Sequence, residues 1–353
     1  MPYIFGTVLV AALSIILTAA VRQFALRFDI VDHPGEERKI HTTVTPLLGG
    51  VAVILSFSIG LLLFWNPLTQ GYLLPKHLIG VLVASLVLLI GGALDDKYNL
   101  KPQLQILAPI VAALIMVVAG IGIDYITNPL GGVLRLNAIQ FELFRIGDVP
   151  YNISLIADVF TVLWIMGMMY TTKFLDGLDG LVSGITVIGA LILAGLSVSA
   201  VVNQPETAFV ACLGAAAFTG FLVFNWNPAS IFLGESGSLF AGFLLGTVAI
   251  ISGGKVATAL LILGIPVLDV VWVILRRLFI EKRSPFEADR KHLHLRLVDS
   301  GLSIRRSVLV LYTFSLLFGL SSLFLHSFSK LIALGVLLLV MLVLIRHITK
   351  NHG

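Results

Sequence analysis

Apolar residues in this chain run almost unbroken for roughly 17 to 25 positions at a time, the length a helix needs to cross a bilayer, and the polar residues are crowded into the junctions between. Such runs fall at Tyr3–Val21, Leu47–Trp65, Leu78–Leu94, Leu104–Ile123, Leu155–Thr172, Leu181–Val202, Thr207–Val223, Ser236–Ser252, Val256–Leu275, Val308–Leu325 and Leu331–Ile345. The pattern predicts an all-α polytopic membrane protein of about eleven transmembrane helices, forming one integral-membrane domain over residues 1–353. Residues 124–154 are the longest junction on their side, and VLRLNAIQFELFRI within them alternates enough to predict a short external hairpin. If the junction after the first run is cytoplasmic and the sides alternate, most of the 23 lysines and arginines face inward. That asymmetry predicts an amino terminus outside and a carboxyl terminus in the cytoplasm. The first run has no basic region before it and no small-residue cleavage site after it, so it reads as an anchor.

Composition agrees. Of 353 residues 58% are hydrophobic and 12% charged, where a soluble domain carries about 25% charge, and the mean hydropathy is +1.02. The pI near 9.2 follows from bases flanking membrane segments and needs no nucleic acid. A single cysteine, Cys212, excludes a disulfide framework and a cysteine-based metal cluster. No Walker A string and no GxGxxG is present.

Chemistry is therefore sought at the junctions. In GALDDKYN, Asp95 and Asp96 close the third run on the predicted cytoplasmic side. Adjacent carboxylates at a membrane boundary repel and need a cation or proton, although a solvated helix end balanced by Lys97 and Lys101 is the plain alternative. In KFLDGLDGL, Asp176 and Asp179 stand three apart and share a face if the turn is helical; a tight turn with an Asp cap is the alternative. In FNWNPASIFLGESGS, Glu235 lies among Asn225, Asn227, Ser236 and Ser238 with no lysine or arginine in the same junction. It therefore calls for a cation from elsewhere, and Mg²⁺ suits, being held by few carboxylates plus substrate phosphates. The amino termini of the second, sixth and eighth helices point to this same side, where free N–H groups attract anions. Together these features suggest a diphosphate substrate at the inner surface.

Three further strings contribute. Arg38, Lys39 and His41 precede the Pro/Gly-rich start of the second run and suit a phosphate headgroup presented from the bilayer. Asp269, in PVLDVVWVILRR, lies inside the ninth run on the face of Arg276, as a partner for a base or as a site residue. In PFEADRKHLHLRL, His292 and His294 alternate as on an extended segment beside Arg290, Lys291 and Arg296. Without a cysteine or an HExxH string, phosphate binding fits them better than zinc.

In order, spacing and common side, these strings resemble the polyprenyl-phosphate N-acetylhexosamine-1-phosphate transferases, the glycosyltransferase 4 group, over Asp32 to Leu297. The form of the histidine string and the odd helix count lean toward the WecA/TagO-like branch. The resemblance implies transfer of a sugar 1-phosphate from a UDP-N-acetylhexosamine, by default GlcNAc, to a polyprenyl phosphate with release of UMP. Mg²⁺ is the implied cofactor, with Mn²⁺ as substitute. Asp95 and Asp96 resemble the catalytic pair, Asp176, Asp179 and Glu235 the metal and diphosphate ligands, and His292 and His294 the histidine loop. Lys173, Asn225, Arg38, Lys39, His41, Asp269, Arg290 and Arg296 complete the implied substrate contacts. The implied partners are the nucleotide sugar, the lipid phosphate and the plasma-membrane bilayer, with a homodimer admitted and the active site on the cytoplasmic face.

The chain departs from the family pattern at four places. Lys173 and Tyr170 stand where the family commonly has Asn, Glu235 turns GDSGS into GESGS, and Leu295 replaces a histidine. Lys173 is positioned to take over a phosphate contact. The rival readings are a muramyl-pentapeptide phosphotransferase of the same family, a secondary transporter with midplane ion sites, and a non-catalytic scaffold.

Overall fold

A computed structural model describes residues 2–34, 43–128, 131–146, 149–253, 255–282 and 292–350. The first half runs α1 (Pro2–Arg27), β1 (Val31–Asp32), β2 (Thr45–Pro46), α2 (Gly49–Leu63), α3 (Trp65–Leu68), α4 (Pro75–Tyr98), α5 (Pro102–Gln105) and α6 (Leu107–Val118). Four short strands follow, β3 (Tyr125–Thr127), β4 (Val133–Arg135), β5 (Phe141–Ile146) and β6 (Val149–Ile153). The second half holds α7 (Leu155–Leu175), α8 (Leu181–Ser197), α9 (Pro205–Asn225), α10 (Gly234–Ile251), α11 (Val256–Ile262) and α12 (Gly264–Leu275). A π-helical turn (Arg276–Glu281), α13 (Leu293–Asp299), α14 (Ile304–Phe324) and α15 (Ser327–Lys350) complete it.

Each of the eleven apolar runs carries a helix or a helix pair. Among the described residues six helices are long and apolar enough to cross a membrane, seven if the bent pair α11–α12 is one span, and four further apolar helices are shorter. The chain is an all-α, multi-pass membrane protein. Large apolar side chains face outward on the peripheral helices, among them Ile4, Phe5, Leu163 and Phe324, as expected where lipid replaces water around the bundle.

The centre of the bundle is α10. Every residue from Ser236 to Ile251 is buried, and a helix apolar all round belongs inside. Phe240 packs between Phe57 of α2 and Phe218 of α9, with ring centroids 5.3 and 6.0 Å away. Its amino terminus is wedged backbone to backbone against its neighbours. Gly50 opens α2 directly on Gly237, and Gly92 of α4 lies on Ser236, so a Cβ at either glycine would overlap main-chain atoms. Small residues permit this approach where helices meet in lipid. The start of α2 is joined to the same place, because Gly49 and Gly50 donate their N–H groups to the carbonyls of Phe232 and Leu233 at 3.0 and 2.7 Å.

Three expectations need correction. The run Val256–Leu275 is not one straight helix: it bends by 85° between α11 and the helix that follows. Pro266, one turn past the break, has no N–H to continue the ladder, and Gly264 packs on Leu337 of α15. Residues 124–154 form two hairpins rather than one, β3 pairing with β4 and β5 with β6; the alternating string VLRLNAIQFELFRI is split between them. His292 and His294 do not lie on an extended strand, because His294 is inside α13 and His292 is its N-cap.

Gly50→Ala is expected to lower the thermal unfolding temperature of the detergent-solubilised protein and broaden the transition, because its new methyl meets main chain that cannot move aside. Gly167→Ala, at a position in α7 with nothing within 4 Å, should be neutral or stabilising by up to about 1 kcal/mol through helix propensity. Equal effects of the two would disprove the wedge.

Candidate active site

Four chain segments meet where α10 begins. α4 delivers Asp95 and Asp96 at its last turn, α7 delivers Lys173 at its last turn, α5 delivers Gln105, and α10 delivers Glu235 at its first. Asp96 acts as the N-cap of α10 from another helix, its Oδ1 accepting the Glu235 N–H at 2.8 Å. A carboxylate is the preferred group at such a helix start. Gly234 makes room for it: its φ is +73°, and a Cβ there would collide with the Asp96 carboxylate. The other oxygen of Asp96 is buried with no hydrogen-bond partner.

Asp95 Oδ1 accepts from the Leu100 N–H at 2.8 Å and from Gln105 Nε2 at 3.1 Å. Gln105 turns its Oε1 to the Lys173 ammonium at 3.0 Å. Lys173 in turn forms a close ion pair with Glu235 and lies 5.7 Å from the centre of the Tyr170 ring, within cation–π range. A ring of contacts thus runs from Asp95 through Gln105, Lys173 and Glu235 back to Asp96. Glu235, without a base in its own junction, takes its cation from elsewhere as expected, but the cation is Lys173 of α7, 62 residues away in sequence.

Asp176 and Asp179 do not share a helical face. Asp176 is the C-cap of α7 and the following residues form turns. Asp176 is exposed as a residue, yet the protein around its carboxyl, then the charges of Glu235 and Asp179, push its pKa up to about 7. Asp179 bends away to the NPA turn, accepting from Asn227 Nδ2 at 2.8 Å and from the Ala229 N–H at 3.0 Å. Beside it is a hollow of about 200 Å³ bordered by Thr43, Thr45, Gly177 and Pro228. Asn225 is a buried clamp: its Oδ1 takes the Gly180 N–H and the Ser183 hydroxyl at 3.1 and 2.9 Å, and its Nδ2 reaches the Ile231 carbonyl at 3.1 Å.

The histidine helix sits over the DGLDG turn, where a Cβ on Gly177 would come within 2.5 Å of His294 Nε2. Asp269 holds that helix in place. One of its oxygens accepts from the Leu293 N–H at 3.0 Å and the other meets His292 Nδ1 at 2.8 Å. His292 also stacks between Phe174 and His294 at centroid distances of 6.2 and 5.6 Å. Burial lowers the pKa of His294 to about 4 against the pull of Asp269, so at neutral pH it offers an uncharged imidazole. Arg296 is on the same short helix. Arg38, Lys39, His41 and Arg290 lie outside the described residues.

Two expectations about anion and metal binding meet this geometry. The helix starts proposed as anion sites are capped from within: Gly49 and Gly50 by carbonyls, Gly180 by Asn225 and Glu235 by Asp96. Two of the three side chains expected as metal ligands, Glu235 and Asp179, are engaged by partners within the protein. Glu235 is closed by Lys173, Asp179 by Asn227 and Ala229, and Asp96 is enclosed beside Gly234. Among the described residues no three acidic, histidine or cysteine side chains are grouped to hold one.

Sequence reasoning missed Gln105 as a site residue. Its only signal was a polar side chain at the Pro-led start of an apolar run, one membrane edge away from Asp95.

Residues 78–253 match the sequence model of glycosyl transferase family 4. The chain is 31% identical over 320 residues to a probable undecaprenyl-phosphate N-acetylglucosaminyl 1-phosphate transferase of Bacillus subtilis, covering 89% of this chain and 82% of that protein. It is 30% identical over 313 residues to the undecaprenyl-phosphate alpha-N-acetylglucosaminyl 1-phosphate transferase of Thermotoga maritima, covering 88% and 87%. It is likewise 30% identical over 327 residues to a decaprenyl-phosphate N-acetylglucosaminephosphotransferase of Mycobacterium tuberculosis H37Rv, covering 86% and 77%.

Asp269→Ala removes two hydrogen bonds from one carboxylate. It is expected to cost about 1.5–3 kcal/mol of stability, read as a lower midpoint in thermal unfolding. An unchanged midpoint would show that α13 is held by other contacts.

Proposed function

The chain belongs to the polyprenyl-phosphate N-acetylhexosamine-1-phosphate transferase family, glycosyltransferase family 4, and from that premise we propose that it transfers N-acetylglucosamine 1-phosphate from UDP-N-acetylglucosamine to undecaprenyl phosphate. One observation carries the reading: the DD pair, the K-x-x-DGLDG turn, the GESGS helix start and the HLH helix, far apart in sequence, are brought into contact with one another. The names of the relatives support the sugar and the lipid.

The reaction is one displacement. An oxygen of the lipid phosphate attacks the phosphorus bearing the sugar, the bond from that phosphorus to the bridging oxygen breaks, and UMP leaves with that oxygen. Attacking and attacked groups are both anionic, so positioning and positive charge do most of the work. Lys173 and Arg296 provide that charge in this reading, joined by Arg38, Lys39, His41 and Arg290. Asp95 or Asp96 accepts a proton from lipid phosphate that is not yet fully ionised. His292 and the neutral His294 orient the diphosphate by hydrogen bonds. The competing route passes through a phosphorylated aspartate; labelled phosphate bound to lipid-free protein after exposure to UDP-sugar would decide for it.

Eleven crossings are read from the apolar runs, and an amino terminus outside with this site on the cytoplasmic face from the distribution of lysine and arginine. The break between α11 and α12 would suit a transporter, but Asp269 is the one acid near it and is engaged by His292 and Leu293, while Asp95, Asp96, Asp176 and Glu235 gather at helix ends.

Purified protein given undecaprenyl phosphate and a panel of UDP-sugars is expected to release UMP with UDP-N-acetylglucosamine preferred. Asp95→Asn and Asp96→Asn should each lower kcat about 10²- to 10⁴-fold, the second keeping an acceptor oxygen for the Glu235 N–H. Release of UMP from no donor would refute the transferase reading.

A further inference from the structure

Tyr170 and Lys173 of α7 and Glu235 of α10 converge on a single contact: Lys173 and Glu235 are 62 residues apart in sequence, yet the Lys173 ammonium touches the Glu235 carboxylate and faces the Tyr170 ring. Its remaining reach goes to Gln105 Oε1. An ammonium has three donors on a compact charge, and here it meets a carboxylate, an amide oxygen and an aromatic face. The pair is largely shielded, with side-chain exposures of 19% for Lys173 and 14% for Glu235. The extra methylene of glutamate over aspartate lengthens the reach from α10 toward α7 while the Glu235 N–H stays on Asp96.

We infer that Lys173 is the resident cation of this site, occupying the place beside Glu235 where a divalent ion would be held, so that the protein free of substrate does not bind Mg²⁺ there. A dication brought to the Glu235 oxygens would face the ammonium in contact with the same carboxylate, and the repulsion is strong where water is sparse. Vacating the place would also strand a half-buried lysine. With respect to the reaction, the inference rests on the transferase reading: Lys173 becomes a charge-compensating residue for the diphosphate. The ion-binding test does not depend on it.

Mn²⁺ titrated into the substrate-free protein in nanodiscs, with free ion read by electron paramagnetic resonance, tests this directly. The unaltered chain is expected to leave the free-ion signal undiminished, while Lys173→Asn combined with Glu235→Asp should capture Mn²⁺ at least about tenfold more tightly. Capture by the unaltered chain that Glu235→Gln abolishes would overturn the inference, as would equal affinity in the unaltered and double-variant proteins. Should the double variant fail to fold, the unaltered chain decides alone: no capture upholds the inference, and Glu235-dependent capture overturns it. Absence of UMP under every condition would sink the transferase reading and leave the ion measurement standing.

Discussion

A carboxylate at the edge of a bilayer must be neutralised, and the contact between Lys173 and Glu235 is how this chain does it. That contact joins the end of α7 to the start of α10. Through Gln105 and Asp95 it reaches α4 and α5, and through the Glu235 N–H it returns to Asp96. The electrostatic requirement of one side chain thereby sets the relative placement of four helix ends. Apolar packing around Phe240 brings the helices together, but it is non-directional; the polar ring fixes their register.

The ring also accounts for the twofold character of the acidic residues. Asp96 caps a helix and has a second oxygen with no partner, and Asp95 holds a turn while meeting Gln105. Asp179 and Asp269 are anchors first, one for the NPA turn and one for the histidine helix. Each places a neighbouring group, so structural and chemical roles fall on the same side chains rather than on separate sets.

Most of the fold was legible because lipid imposes a length and a polarity that are written directly in the chain: every apolar run from Tyr3 to Ile345 holds a helix. The break at Leu263 was less visible, since Gly264 and Pro266 sit in an apolar window that hydropathy alone reads as continuous. The site was legible as a set of strings, since charged and glycine residues stand out against an apolar background. Its wiring was not. Glu235 was read by its own junction, where no base occurs, and its partner lies on another helix. Gln105 was invisible because a lone amide carries no periodicity. The helix starts read as open anion sites because the groups that fill them, Asn225, Asp96 and the carbonyls of Phe232 and Leu233, are distant in sequence.

The wedge of glycines at the head of α10 has a mechanical consequence. With Gly50 on Gly237 and Gly92 on Ser236, main chain rests on main chain, and only the short side chain of Ser236 lies beside both glycines. The head of α10 is therefore a rigid anvil. Displacement near it falls to the surrounding segments, among them α13, which Asp269 holds through both its oxygens and which rests His294 on Gly177.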